Sequence, residues 1–218
     1  MMAFLSSMAI ILVSLSRLFQ REDGLSEILL SLLMGIIILA VVCLPTKILY
    51  KCSWNSFGLR LPTYPLMIWS GLSIMSVFLF LVFVMVYSLA VSAVGWTFLL
   101  PPDVASVIVL PKGYLAVATF CMIGVWTPFT EELLFRGFIF SGLRTRFGPH
   151  TSVIITSLMF SGMHAHIGVL IPTFVMSLFL TYLYRGTNSI WPCILAHSVN
   201  NCLTLAITFI PVWTSIGS

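Results

Sequence analysis

An unbroken apolar stretch from Leu66 to Phe98 constrains the fold of this chain more than any other feature. It contains no charged residue, and it is longer than the roughly 20 residues that a helix needs to cross a bilayer. A soluble domain carries about 25% charged residues, whereas this chain carries 7% and is 60% hydrophobic. The other apolar stretches suit helices and not the alternating strands of an outer-membrane barrel. We therefore expect an all-α, polytopic integral membrane helical bundle.

Prolines, glycines and charged clusters divide the chain into about seven transmembrane helices. We place these helices at residues 1–19, 28–44, 66–98, 113–143, 150–166, 168–184 and 189–210. Pro45 and Pro211 are expected to end the second and the last helix, because proline removes a backbone hydrogen-bond donor. The apolar residues 104–110 are expected to form an interfacial turn in the loop before the fourth helix.

Basic residues are distributed unevenly between the two sets of loops. One set contains no acidic residue and six basic ones, namely Lys47, Lys51, Arg60, Arg144, Arg146 and Arg185. The other set mixes both signs, with Arg17, Arg21, Glu22, Asp23, Glu27, Asp103 and Lys112. Because basic loops stay in the cytoplasm, the N-terminus is expected to be cytoplasmic. The net charge of +4 is small and no basic run occurs, so nucleic acid is excluded as a partner.

Glu131 and Glu132 are two of only six acidic residues, and they lie in an apolar run with Arg136. Ionised carboxylates are costly in such surroundings unless they are paired or used. Glu132 and Arg136 are four residues apart, so they share a helix face and can form an ion pair. Glu131 lies about 100° further round the helix. We therefore expect Glu132 to hold the helix in place and Glu131 to be free for chemistry.

Three further polar side chains are expected at the membrane depth of Glu131. At about 1.5 Å per residue, Glu131 lies roughly 15 Å from the cytoplasmic end of its helix and His164 roughly 21 Å. His197 and Asn201 lie roughly 12–18 Å from theirs, and they share a helix face. A carboxylate, two imidazoles and a carboxamide are thus predicted to meet at one level.

Such a cluster could add water to an amide carbonyl. A shielded carboxylate can act as a general base toward water, and a neutral histidine can orient that water or transfer a proton. His197 and Asn201, one turn apart, could donate hydrogen bonds to an oxyanion. A zinc site is the alternative, with Glu131, His164 and His197 as ligands. The sequence contains no HExxH pair that would favour it.

Three motifs carried by these residues resemble those of the CAAX protease and bacteriocin-processing family of intramembrane proteases, also called the Abi family. Glu131–Gly137 reads Glu-Glu-Leu-Leu-Phe-Arg-Gly and matches EExxxR. Phe160–His164 matches FxxxH, and His197–Asn201 matches HxxxN. The resemblance covers about residues 113–208, and the first 110 residues match nothing specific.

The resemblance implies a membrane-embedded endopeptidase, related to the type II CAAX prenyl endopeptidases, that opens toward the cytoplasm. Residues 113–210, the C-terminal four helices, would form its catalytic core, and residues 1–112 its N-terminal helices and loops, within one membrane domain. By motif position, the site residues are Glu131 and His164 for water activation, His197 and Asn201 for the oxyanion, and Glu132, Arg136 and Phe160 in support. The resemblance leaves both a zinc-dependent and a metal-free mechanism open.

The expected partners are the lipid bilayer and a membrane-associated peptide or protein substrate, which in eukaryotic and archaeal relatives is a prenylated CAAX protein. Some bacterial members are instead linked to bacteriocin self-immunity or maturation. We expect the plasma (inner) membrane of a prokaryote as the location. An immunity protein that binds a peptide without cleaving it stays open as an alternative. So does a transporter that uses the buried carboxylates, although no matched halves are visible.

Overall fold

A computed structural model describes residues 25–49, 51, 53–102, 113–164 and 166–216, and these residues form helices and loops without a strand. We number the helices α1 (Leu25–Leu44), α2 (Leu66–Val94), α3 (residues 114–147), α4 (Pro149–Gly162), α5 (Ile167–Thr187) and α6 (Trp191–Ile216). Short turns lie at Trp54–Phe57 and Thr97–Leu99. The predicted all-α class is confirmed for this part of the chain.

Four stretches of the described residues are long and apolar enough to cross a membrane. They are Ile28–Ile48, Leu66–Val94, Ile167–Thr187 and Trp191–Phe209. They indicate an integral membrane protein, as the composition predicts. The count of seven is not confirmed, because α3 and α4 fall outside this set. The predicted helix at residues 1–19, the turn at 104–110 and the mixed-charge loop residues Arg17, Arg21, Glu22, Asp23, Asp103 and Lys112 lie outside the described residues.

The two prolines that are expected to end helices differ in outcome. α1 ends at Leu44, before Pro45, as predicted, and a π-helical turn follows at Pro45–Leu49. α6 does not end at Pro211 but runs past it to Ile216. In apolar surroundings an unsatisfied backbone is expensive, so helices adjust locally around a proline and continue. The long α2 is confirmed as a single helix. It ends at Val94 and not at Phe98, because Gly95 takes a left-handed φ of 79° and caps the helix.

The predicted helix 150–166 ends earlier than expected. α4 stops at Gly162, and His164 lies in the turn that follows. His166 is the N-cap of α5, where its Nδ1 accepts a hydrogen bond of 3.1 Å from the amide of Gly168. Such local side-chain bonds to free backbone groups end helices that apolar periodicity alone would extend.

Five consecutive α- and π-helical segments make up α3. They are Tyr114–Cys121, Met122–Trp126, Thr127–Glu132, Leu133–Phe140 and Ser141–Phe147. The residues at their junctions keep right-handed helical dihedral angles, so the helix does not break. π-Helical turns are rare and frequent at functional sites. Here they lie on both sides of the segment that carries the paired glutamates.

The second half of α3 lies at the centre of the described bundle. It packs against α1, α4 and α5, while the first half of α3 packs against α1 and α6. α2 covers α5 and α6 from the other side, and α4 packs along α5. Residues 132–137 are all buried. This placement brings side chains from four helices within reach of Glu131 and Glu132.

Candidate active site

A buried ion pair forms the base of the candidate site. Arg136 Nη1 donates to Glu132 Oε1 over 2.9 Å, and both side chains are 0% exposed. This is the contact that their spacing predicts. His197, from α6, places its Nδ1 2.8 Å from the same Oε1. One oxygen of the Glu132 carboxylate therefore links two turns of α3 to each other and links both to α6.

Arg136 extends the connection to α5 and α4. Its Nη2 donates to the Ser177 Oγ over 2.9 Å and to the Ser177 carbonyl over 3.2 Å. Its guanidinium also lies over the Phe160 ring, 4.9 Å from the ring centre, a distance that suits a cation–π contact. The predicted supporting residues Glu132, Arg136 and Phe160 thus lie in one connected group.

His197 is oriented between the two glutamates. A carboxylate in an ion pair only accepts hydrogen bonds, so His197 donates from Nδ1 to Glu132. Its other nitrogen, Nε2, then faces Glu131, whose Oε2 lies 3.9 Å away. That distance is longer than a hydrogen bond. A gap of this length between two polar atoms is one that a water molecule can bridge.

Glu131 lies in surroundings different from those of Glu132. Its side chain keeps 23% of its surface exposed, and it lines a cavity of about 210 Å³ between α1 and α3. Met163, from the turn after α4, lines the same cavity. The carboxylate is therefore accessible to a small molecule, while most of its surroundings are apolar.

His164 is exposed and is held by the end of its own helix. Its Nδ1 lies 2.9 Å from the Phe160 carbonyl oxygen. Because a carbonyl only accepts, Nδ1 carries the proton and Nε2 keeps the lone pair of the neutral ring. The Phe160 ring packs near both histidines, at 4.9 Å from the His164 ring centre and 5.9 Å from that of His197. One aromatic ring therefore contacts both imidazoles.

Asn201 reaches α3 one turn further along α6. Its Nδ2 donates to the Ile123 carbonyl over 3.1 Å, within the π-helical turn Met122–Trp126. Its Oδ1 lies 3.5 Å from the Asn200 Nδ2. Since a carboxamide carries two N–H groups, one remains for another acceptor. His197 and Asn201 face the same helix, as their spacing predicts.

The predicted zinc ligands do not form a metal site in the described part of the chain. No group of three or more His, Cys, Asp and Glu side chains there is arranged to hold a metal ion. Glu131 and His197 come together, but no third ligand joins them there. As arranged, this donor set does not fit zinc.

The comparisons with known proteins match the segment that contains this group. Residues 113–203 match the family model described as type II CAAX prenyl endopeptidase Rce1-like. This segment is similar to the Rce1-like family. It contains all three motifs, so the resemblance found in the sequence is confirmed over these residues.

A curated relative of the chain is the UPF0177 protein YxdF of Lactococcus lactis subsp. lactis. It is 28% identical over 81 residues, which are 37% of this chain and 44% of the relative. The match thus spans less than half of the relative's length. No solved structure matches the chain.

A component outside the Rce1-like segment completes the cavity, and sequence reasoning missed it. Helix α1 forms the wall opposite α3 with Leu30, Ser31, Met34, Gly35 and Ile38. Its position is fixed by Trp126 of α3, whose Nε1 donates to the Ser31 carbonyl over 3.2 Å. A Cβ on Gly35 would clash with that Nε1. A glycine inside an apolar helix signals such a close approach, but it does not name the partner helix.

Proposed function

We propose that this protein is an intramembrane endopeptidase that hydrolyses a peptide bond of a membrane-associated peptide or protein with water activated by Glu131. The observation that carries the proposal is the position of Glu131. Its carboxylate lines an apolar cavity, 3.9 Å from a histidine nitrogen whose ring is held by Glu132. This combines a base, an oriented imidazole and room for a substrate.

The hydrolytic step follows from these positions. Glu131 takes a proton from water as the water oxygen attacks the carbonyl carbon, so a C–O bond forms and the carbonyl electrons move to oxygen. The protonated Glu131 then gives that proton to the leaving nitrogen as the C–N bond breaks. The products are a carboxylic acid and an amine. His164, with a free Nε2 lone pair, assists by orienting the attacking water.

The oxyanion would be stabilised from α6. His197 in its protonated form donates from Nε2, and Asn201 donates through its remaining N–H group. Preorganised donors of this kind typically lower the barrier by about 3–4 kcal/mol each. Glu132 and Arg136 act through His197 by fixing its ring orientation, as carboxylates do behind histidines in other active sites.

We propose that the site opens toward the cytoplasm in the plasma membrane of a prokaryote. The uneven distribution of basic residues supports this orientation. Arg144 and Arg146 lie at the end of α3, and Arg60 donates to the Asn188 carbonyl between α5 and α6. Reporter fusions to the chain ends test the orientation.

A peptide-binding protein without hydrolysis is a second candidate, favoured by one observation. His164 is exposed and its Nδ1 satisfies the carbonyl of Phe160 near the end of α4, a capping role that requires no catalysis. This function would keep the cavity and its ligand but release no products. An immunity protein of this kind would capture the same peptides that a protease cuts.

One experiment tests the proposal and separates the two candidates. Membrane peptides are compared by mass spectrometry between cells that carry the wild-type protein and cells that carry Glu131→Gln. We expect cleavage products that are present with the wild type and absent with Glu131→Gln. Glu22→Gln, the same substitution outside the motif segment, serves as the control and should leave the products unchanged. Identical peptide sets in all three strains would overturn the protease proposal.

A further inference from the structure

The cavity beside Glu131 is bounded by a helix that the family match does not include. α1 supplies Leu30, Met34 and Ile38, and the facing residues Leu134 and Phe135 come from α3. α1 cannot move closer to α3, because Gly35 already lies against Trp126. Helix α1 therefore helps to determine the size of the cavity.

The charge on the wall of this cavity is concentrated at one point. Glu131 is the only ionisable side chain among the described residues that line it. The Thr130 hydroxyl donates within its own helix, with the Trp126 and Thr127 carbonyls at 3.2 and 3.1 Å. It offers no free hydrogen-bond donor to a ligand. A ligand portion that enters the cavity past Glu131 therefore meets mainly apolar walls.

The volume of about 210 Å³ limits what can enter. An apolar cavity of about 150 Å³ holds one benzene molecule, so this one holds about eight non-hydrogen atoms by the same ratio. A leucine, methionine or phenylalanine side chain is within that limit. A farnesyl chain, at about fifteen carbons, exceeds it.

We infer that this cavity is a specificity subsite that takes one large apolar side chain of the peptide, next to the bond that is cut, and that it does not hold a prenyl chain. The inference rests on the proposed function, because Glu131 must act on a bond at the cavity entrance. Met34 of α1 sets the size of the subsite. The substrate class is therefore an unprenylated peptide with a large aliphatic or aromatic residue at the cut.

The test uses the full-length protein in lipid nanodiscs and a degenerate mixture of unmodified peptides. Mass spectrometry identifies the residues on both sides of each cut. Met34→Trp fills the subsite and Met34→Ala enlarges it. Met75→Trp is the matched control, because Met75 lies on α2 with 54% of its surface exposed, away from the residues that line the cavity.

We expect wild type to cut beside leucine, methionine or phenylalanine. Met34→Trp should reduce these cuts about 10-fold or more relative to cuts beside alanine, because a pocket discriminates side chains by fit. Met34→Ala should add cuts beside tryptophan, and it keeps the test valid if Met34→Trp does not fold. Met75→Trp should match wild type.

Two results would overturn the inference while leaving the protease proposal in place. One is cleavage that depends on Glu131 but shows the same flanking residues in wild type and both Met34 variants. The other is a preference of about 10-fold or more for a farnesylated peptide over its unmodified copy. Cleavage that is equally present in Glu131→Gln would overturn the proposed function, and the subsite inference with it.

Discussion

Glu132 and Glu131 are adjacent in the chain, yet their surroundings have little in common. Glu132 is 0% exposed and shares one oxygen between Arg136 and His197. Glu131 keeps 23% of its surface exposed on a cavity wall. One residue step turns a helix by about 100°, which is enough to send one carboxylate inward and the other toward the cavity. A single sequence motif can thus place one side chain in a buried ion pair and an identical one on a cavity wall.

The largest effect is expected on the cavity side. Glu131→Gln removes the base and keeps the shape, so the hydrolysis rate should fall by about 10²–10⁴-fold. The unfolding midpoint should stay at the wild-type value, since Glu131 has no ion pair with arginine or lysine in the described residues. A peptide-cleavage assay and thermal unfolding in the same detergent measure the two quantities. A fall in both the hydrolysis rate and the unfolding midpoint would contradict the separate roles assigned to the two glutamates.

At the buried Glu132–Arg136 pair, we expect substitutions to lower the free energy of unfolding. Arg136→Met leaves Glu132 buried without its cation, which typically costs about 3–5 kcal/mol. The double variant Glu132→Leu/Arg136→Met should recover part of that loss, because it removes both buried charges. Unfolding in mixed micelles measures the free energy. If Arg136→Met were as stable as wild type, the pair would not hold the bundle together.

A smaller effect is expected at the contact between α1 and α3. Gly35→Ala places a methyl group against Trp126, and overpacking of this kind costs about 1–3 kcal/mol. Gly71→Ala is the control, because a Cβ at Gly71 in α2 meets nothing within 4 Å. It should be neutral or slightly stabilising. Equal effects of the two substitutions would show that α1 does not press on Trp126.

Ser177→Ala should produce a more modest change on the interior side. It removes the hydroxyl that accepts from Arg136 over 2.9 Å but keeps the backbone carbonyl. A hydrogen bond to a charged group contributes about 1.5–3 kcal/mol, so a loss near the lower value is expected. Ser70→Ala, at a half-buried serine of α2, is the control in the same unfolding assay. A cost at Ser70 equal to that at Ser177 would contradict the assigned role.

No effect is expected from chelation. Because the proposed step uses Glu131 and histidines without a metal, cleavage should persist after exhaustive treatment with a zinc chelator. The assay compares treated and untreated protein, and then protein to which zinc is returned. Loss of activity that zinc restores would make Glu131, His164 and His197 ligands and would reverse the assignment of Glu131 as the base.

Contacts within one helix could be predicted from the sequence, and contacts between helices could not. The Glu132–Arg136 pair follows from spacing alone, because four residues return to the same face. The bond from His197 to Glu132 joins positions 65 residues apart, and nothing in either motif specifies it. The roles of His164, Asn201 and Glu131 in catalysis stay predictions.

The errors at helix ends have the same origin. Pro211 is expected to end α6, because proline removes a local donor, but the apolar environment favours continued helix. His164 was expected inside a helix and lies after its end, where its ring satisfies a free carbonyl. Helix α1 carries no motif at all. Its part in the cavity depends on which helix packs beside Trp126, and only the three-dimensional arrangement determines that.

The ion pair within α3 has a consequence for how the protein is made. Membrane helices enter the bilayer in the order of their synthesis, and a lone buried charge opposes entry. Because Glu132 and Arg136 belong to the same helix, α3 brings its own counter-charge and does not have to wait for a partner. The bond from His197 can form only after α6 has been synthesised and inserted. Biogenesis therefore adds the bond from His197 to Glu132 last, and a chain that stops before α6 would insert but would lack the oriented imidazole.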